Sequence, residues 1–391
     1  MNYVPIPVSM LDLGKPLPID VWDANGKLLL QKGQTIRSPQ HKEMLSDQQA
    51  CMKSSDAKAW QKSYEQMMQP IHKEGVAVDT APASSDNDIL VGWRDLQAVL
   101  QALLYQGAAA ISPLPRLEAI EKEALDLLKS DPDESLFILF QALADLSLGY
   151  CATHALLSAV VCELSAEKLG TAETDRRVLF RAALTMNIGM ARDQDSLARQ
   201  STALLNDVQR KLIRKHPENS LAILQSLGVT DDNQLDIVRW HHEPDESCGM
   251  NSNLASRRLL RMADGFVAKM AARKTRLAMS PLSAAQSVFL GTDAEQAKLA
   301  LAMTTALGFY PPGTYVQLVN GEKAVSVKRG LRASHPQVVS IVSPGGMPLN
   351  PCLFRDTNNP KYAIRSPFNA EKIKIKVNLE QVLKARPGRT A

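Results

Sequence analysis

The sequence predicts a mainly α protein, an all-helical core flanked by small β-containing modules at its N-terminal and C-terminal ends. Three observations carry that prediction. Apolar residues recur every three or four positions from about Val91 to about Leu307, the period of a helix with one buried face. Short stretches on either side alternate apolar and polar residues instead, the period of a strand. Each flank also holds an Asn-Gly pair, Asn25-Gly26 and Asn320-Gly321, a dipeptide that takes up the positive φ values of a tight hairpin.

Taken in chain order, "IDVWDANGKLLLQKGQTI" sets Asn25-Gly26 between two short segments of strand character, and residues 1–53 are expected to form the first small module. Residues 54–90 turn polar and end in "VAVDTAPASSDND", where Pro, Ala, Ser and Asp offer little to bury, so they read as a linker. The core, 91–307, opens on "WRDLQAVLQALLY". It continues through "LFILFQALADLSLGYCATHALLSAVVCELSAEKLG", where Gly170 fits a C-cap, and closes with "DAEQAKLALAMTTALG" at Gly308. From about Gly308 to residue 391, "TYVQLVNGEKAVSVKRG" and "PQVVSIVSPGG" predict a β-rich module.

Bulk properties narrow the function. The 391 residues, 45% hydrophobic, suffice for real cores. With 45 basic and 41 acidic residues the charge is too balanced to point to nucleic acid. The basic C-terminal stretch "EKIKIKVNLEQVLKARPGR" reads as a solvated tail. Five scattered cysteines without a CxxC pair suggest neither disulfides nor a zinc knuckle, and a reducing cytoplasm fits them. No signal-peptide pattern and no run of about 18 apolar residues is present, so neither secretion nor a membrane span is expected. Nucleophile elbows, P-loops and dinucleotide turns are absent too.

What remains is a set of ligand-type residues: His154, His216, His241, His242 and Asp264. They are spaced so that they fall on different helices or helix ends, which is how helical bundles build interior metal sites. Each histidine alone fits a surface or hydrogen-bonded core residue, and His216, before Pro217, fits a helix start. The adjacent pair in "VRWHHEPDESCGMN" is harder to assign that way, because three ionisable groups side by side gain a plain core little.

These residues resemble the HD-GYP family. "HHEPDESCGMN" is similar to its signature, in which HHE is followed by a DG pair and then Gly-Tyr-Pro. "RKHPENSLAILQSLG" is similar to the preceding segment with a metal-binding His before Pro, and "RMADGFVAKMAARKTR" to the following helix with its ligand Asp and, nine residues on, Arg273. The similarity spans roughly residues 147–291. The resemblance implies an HD-type helical core, metal ligands at His154, His216, His241, His242 and Asp264, and a substrate-binding part for Gly249 and Arg273. Members with intact motifs are metal-dependent phosphodiesterases that open the bacterial messenger cyclic di-GMP.

The departures fall on the chemistry. Where the family has LLHDIGK this chain has "LTMNIGM", so Met186 stands at the His, Asn187 at the Asp and Met190 at the Lys. A neutral amide lacks the anionic oxygens that bridge two cations about 3.5–4 Å apart, and a thioether is soft for metals that prefer imidazole and carboxylate. Tyr150 takes the place of an acid that some members carry four residues before the first His. The DG pair becomes Glu246-Ser247, and the triplet becomes Gly249-Met250-Asn251.

Three readings follow. The first is a degenerate signalling protein, non-catalytic or weakly active, that binds cyclic di-GMP, a related nucleotide or signalling proteins. The second is a phosphodiesterase with unusual ligands. In the third, the histidines are structural residues filling a former metal cavity. His216, His241 and His242 suffice for one divalent ion, Fe, Mn or Zn, and one site at most is favoured.

Overall fold

The computed structural model describes residues 89–387, apart from 202–203, 273–275, 290–292, 374 and 376, together with residue 56 and much of 3–53. The fold is mainly α, with a small antiparallel sheet at each end. Most of the expected linker, 57–88, lies outside the described residues.

The first sheet pairs β1 (Tyr3–Pro5), β2 (Val21–Trp22), β3 (Leu28–Leu30) and β4 (Cys51–Lys53) in the order β1-β4-β2-β3. The β2–β3 hairpin turns at Gly26, φ 82°. Asp23 fastens it, its carboxylate accepting from the amides of Asn25 and Lys27 at 2.9 and 2.8 Å.

The helical core runs through α1 (Ile89–Gln106), α2 (Pro113–Ser130), α3 (Pro132–Leu143) and α4 (Tyr150–Lys168). Then come α5 (Glu173–Thr185), α6 (Ala191–Arg199), α7 (Asp207–Ser226) and α8 (Asp232–Trp240). It ends with α9 (Leu254–Met270), α10 (Pro281–Phe289) and α11 (Ala294–Leu307). Short polar side chains start several of these helices. Asp131 accepts from two amides of the first turn of α3, Asn206 and Gln209 form a capping box on α7, and Asp231 caps α8. Gly170, φ 73°, follows the end of α4, and Gly308, φ 75°, caps α11.

Helix α4 is the axis of the core. Every residue from Tyr150 to Cys162 is buried, as in a helix surrounded on all sides, and α1, α3, α5, α6, α9 and α11 pack around it. A histidine on this helix must therefore meet protein on every side.

The C-terminal sheet has five antiparallel strands in the order β8-β7-β6-β5-β9, from β5 (Tyr315–Leu318), β6 (Lys323–Lys328), β7 (Gln337–Val342), β8 (Pro348–Asp356) and β9 (Ile364–Phe368). The β5–β6 hairpin turns at Asn320-Gly321, with Gly321 at φ 89°. Val325, Val327, Val339 and Ile341 join the same apolar cluster as the helices. Arg329 fixes the seam, its Nε donating to Asp133 at 2.6 Å and its Nη1 to the Ala306 carbonyl at 2.7 Å.

The end of the chain corrects the expectation of a solvated tail. α12 (Leu379–Lys384) buries Val382 and Leu383. Arg386 reaches the N-terminus of α3, with Nη1 2.8 Å from Asp131 and 3.3 Å from Glu134. The buried Glu134 and the half-buried Asp131 at a helix start call for a cation, and the tail supplies it.

Candidate metal centre

His216 lies in the middle of α7, not at a helix start, because Pro217 is carried inside the helix. Proline has no N–H, so the carbonyl four residues back, on Ile213, loses its helical donor. The His216 imidazole takes that place, with Nδ1 2.6 Å from the Ile213 oxygen. His241 is the C-cap of α8, and its Nδ1 sits 2.7 Å from the carbonyl of Val238, in the last turn, where carbonyls have no helical donor. Two carbonyls released from helix bonding, one by a proline and one by a helix end, thus orient the two rings.

The consequence is chemical. A carbonyl only accepts, so each Nδ1 carries the proton and each Nε2 is left as a lone pair. Those two Nε2 atoms face each other at 3.2 Å. Two acceptors at that distance repel unless a cation lies between them, and two nitrogens on a tetrahedral ion with bonds of about 2.0–2.1 Å stand roughly 3.3 Å apart. His242 completes the group: one ligand atom from each of the three rings lies within 4.8 Å of the others. The His242 centroid is 4.2 Å from that of His241 and 4.9 Å from that of His216. His216 and His241 are buried, whereas His242 is exposed and opens the group to solvent.

A proton does not fill that role near neutrality. Burial pushes the His216 ring down to about 4, against the pull of the Ile213 carbonyl and with help from His242. Burial, then the neighbouring His242 and His216, holds His241 well below the ordinary imidazole value. Neutral imidazoles with carbonyl-fixed tautomers, as in His216 and His241, are the form that ligates a metal, and with His242 beside them the cluster fits a single divalent ion.

His154 and Asp264 belong to the same region but are committed to each other. His154 Nε2 is 2.7 Å from Asp264 Oδ1, and the Tyr150 hydroxyl is 3.1 Å from His154 Nδ1. Burial raises the Asp264 pKa, but the His154 hydrogen bond and the charges of His154, His242 and His241 outweigh it and hold the carboxyl far below its usual range. The residue in the place of an acid is therefore a phenol that occupies the second nitrogen of His154. Asp195 anchors this end of α4, accepting from the Cys151 amide at 2.6 Å and from the Tyr105 hydroxyl.

The replaced segment sits beside His216. Ser220 donates to the Met186 carbonyl at 2.7 Å and accepts from the Gly189 amide at 3.0 Å. A Cβ on Gly189 would stand 2.6 Å from the Ser220 nitrogen and 2.8 Å from the His216 oxygen, so only glycine allows this approach. Met186 is fully buried in the apolar core, and Met190 is half-buried. Asn187 is 2% exposed, and its Nδ2 finds no acceptor among the described residues. Ser158 Oγ, one turn beyond His154 on the same face of α4, is also buried without a partner among the described residues.

Gly249 holds open a space for a guanidinium. A Cβ there would lie 1.3 Å from Arg257 Nη1. Arg257, 1% exposed, has Nη1 3.4 Å from Asp236, whose carboxylate also accepts from the Met250 amide at 2.8 Å and Asn253 Nδ2 at 3.0 Å. This buried cluster, which the motifs did not indicate, pins the loop after His242. Arg273, the other expected substrate contact, lies outside the described residues.

No protein-family model matches this chain, and no curated protein matches it. Among solved structures it is similar to Bd1817, a HDG"Y"P protein from Bdellovibrio bacteriovorus, at 15% identity and a TM-score of 0.44, covering 78% of this chain and 99% of that one.

Proposed function

We propose that this chain is a degenerate HD-GYP-like signalling protein that holds one divalent ion on His216, His241 and His242 and acts by binding, with hydrolysis absent or feeble. The observation that carries the reading is the division of the five ligand-type residues. Three imidazoles converge, two of them with their lone pairs facing each other, while His154 and Asp264 satisfy each other. Fe, Mn and Zn all suit imidazole donors, and a three-histidine set with water in the fourth position is a known zinc arrangement.

When bound, the ion would supply positive charge for an oxygen of a phosphodiester. The chain's own residues set what else can happen. Asn187 has no charge with which to bridge a second ion, Met186 offers apolar packing in place of an imidazole, and Tyr150 ties down His154. An in-line displacement that depends on two bridged metals lacks its parts here. Cyclic di-GMP or a related nucleotide is the proposed small ligand, and signalling proteins are the proposed macromolecular partners. Nucleic acid and membrane are not. Among the described residues no helix is long and apolar enough to cross a bilayer, and the cytoplasm is the proposed setting.

Calorimetric titration of the zinc-loaded protein with cyclic di-GMP, run beside a hydrolysis assay on the same sample, tests this. The reading expects binding without multiple turnovers, weakened in His241→Ala. Rapid hydrolysis would establish the phosphodiesterase alternative. Loss of thermal stability in His241→Ala with no metal bound to the parent protein would establish the structural one.

A further inference from the structure

We propose that Asn187 is an anion-binding residue, its buried amide N–H donating to an oxygen of a phosphate or phosphodiester held at the histidine cluster. This rests on the one-ion reading above.

Two independent observations meet at this residue. The first is a donor without an acceptor. Asn187 is only 2% exposed, and its Nδ2 bonds to nothing among the described residues. Buried polar groups are nearly always paired, and an N–H left over is open to an acceptor from outside the chain. An amide N–H needs an oxygen acceptor, and a phosphate oxygen gives a stronger bond than a neutral one because it carries charge.

The second observation is position. The turn that carries Asn187 is fastened to the turn of α7 that carries His216. Ser220 bridges Met186 and Gly189 through its hydroxyl, and the missing side chain of Gly189 lets the two backbones touch at His216. Asn187 lies between those two attachment points, which places its backbone beside the turn of α7 that carries His216, and the cluster's exposed member, His242, opens to solvent. Met186 on one side is buried in the apolar core, and offers neither charge nor a hydrogen bond.

The chemistry is a division of labour. One cation on three neutral imidazoles keeps most of its positive charge, since the ligands bring none and the Asp264 carboxylate is hydrogen-bonded to His154. Such a centre attracts an anion. A carboxylate at residue 187 would repel that anion, whereas a carboxamide with a free N–H receives it. The site therefore selects a singly bridged phosphate oxygen, with the ion on one side and the amide on the other.

The test uses inorganic phosphate as the probe, titrated into the full-length zinc-loaded protein by calorimetry, with zinc per chain measured on each sample. Asn187→Ala removes the donor, and Asn187→Leu keeps much of the volume without it. One phosphate per chain is expected for the parent, with both variants at least about tenfold weaker, at unchanged zinc content. As a second readout, phosphate should raise the melting temperature of the parent and leave that of Asn187→Leu unmoved. Variant affinity within about twofold of the parent, or a zinc-loaded parent that ignores phosphate, overturns the proposal and leaves the one-ion reading intact. A parent that takes up no zinc removes both.

Discussion

Replacing Pro217 by Ala should make the protein more stable and its metal binding weaker, two effects of opposite sign from one side chain. A proline inside a helix costs about 3 kcal/mol relative to alanine. Pro217 is buried, so alanine forfeits about two methylenes, roughly 1.6 kcal/mol at 0.8 kcal/mol each. The net gain is about 1–2 kcal/mol for the metal-free protein, visible as a melting temperature a few degrees higher in calorimetry. The new N–H points at the Ile213 carbonyl, the acceptor that now fixes His216 Nδ1 at 2.6 Å. Competition for that oxygen loosens the ring's tautomer and direction, and losing such an orienting bond costs about 10- to 100-fold in metal affinity. A competition titration against a chelating dye reads this. Unchanged or tighter zinc binding in Pro217→Ala would refute the argument that the proline exists to free a carbonyl for the histidine.

Further outcomes follow from the same geometry. Because burial lowers the folded His216 to about 4, the unfolded chain takes up a proton at pH values where the folded chain does not. Metal-free stability is therefore full above about pH 6.5 and falls as pH drops toward 4, by roughly 3 kcal/mol from this group; urea titrations from pH 7 to 4 check it, and a flat profile argues against a buried neutral cluster. Gly249→Ala drives a methyl into the Arg257 guanidinium and should cost about 1–3 kcal/mol, read by denaturant unfolding. Arg386→Ala leaves Asp131 and Glu134 without their cation and should cost about 3 kcal/mol, with faster proteolysis of the C-terminal segment.

Local signals were legible. The helical period from α1 to α11, the two Asn-Gly turns and the glycine stops at 170 and 308 each depend on a few adjacent residues, and each appears where the pattern places it. The convergence of His216, His241 and His242 was legible through motif spacing alone. Other parts of the centre were not. That Pro217 continues a helix, and so releases the Ile213 carbonyl, depends on packing that overrides proline's preference for helix starts. Tyr150 reads as a missing acid until its hydroxyl is seen on His154. Gly249 reads as a substrate contact, and the motif says nothing of Arg257 lying against it. The docking of Arg386 on Asp131 and Glu134 joins residues at opposite ends of the helical core and tail, and no periodicity records a contact between such distant segments.

The central claim, one ion on three histidines, is tested most directly by elemental analysis of protein purified without chelator from cells supplied with iron, manganese and zinc. The account predicts one divalent ion per chain, lost together with the ability to reload when His216 or His241 is replaced by Ala in a protein that still folds. Two or more ions per chain, or none in the folded parent, would contradict it.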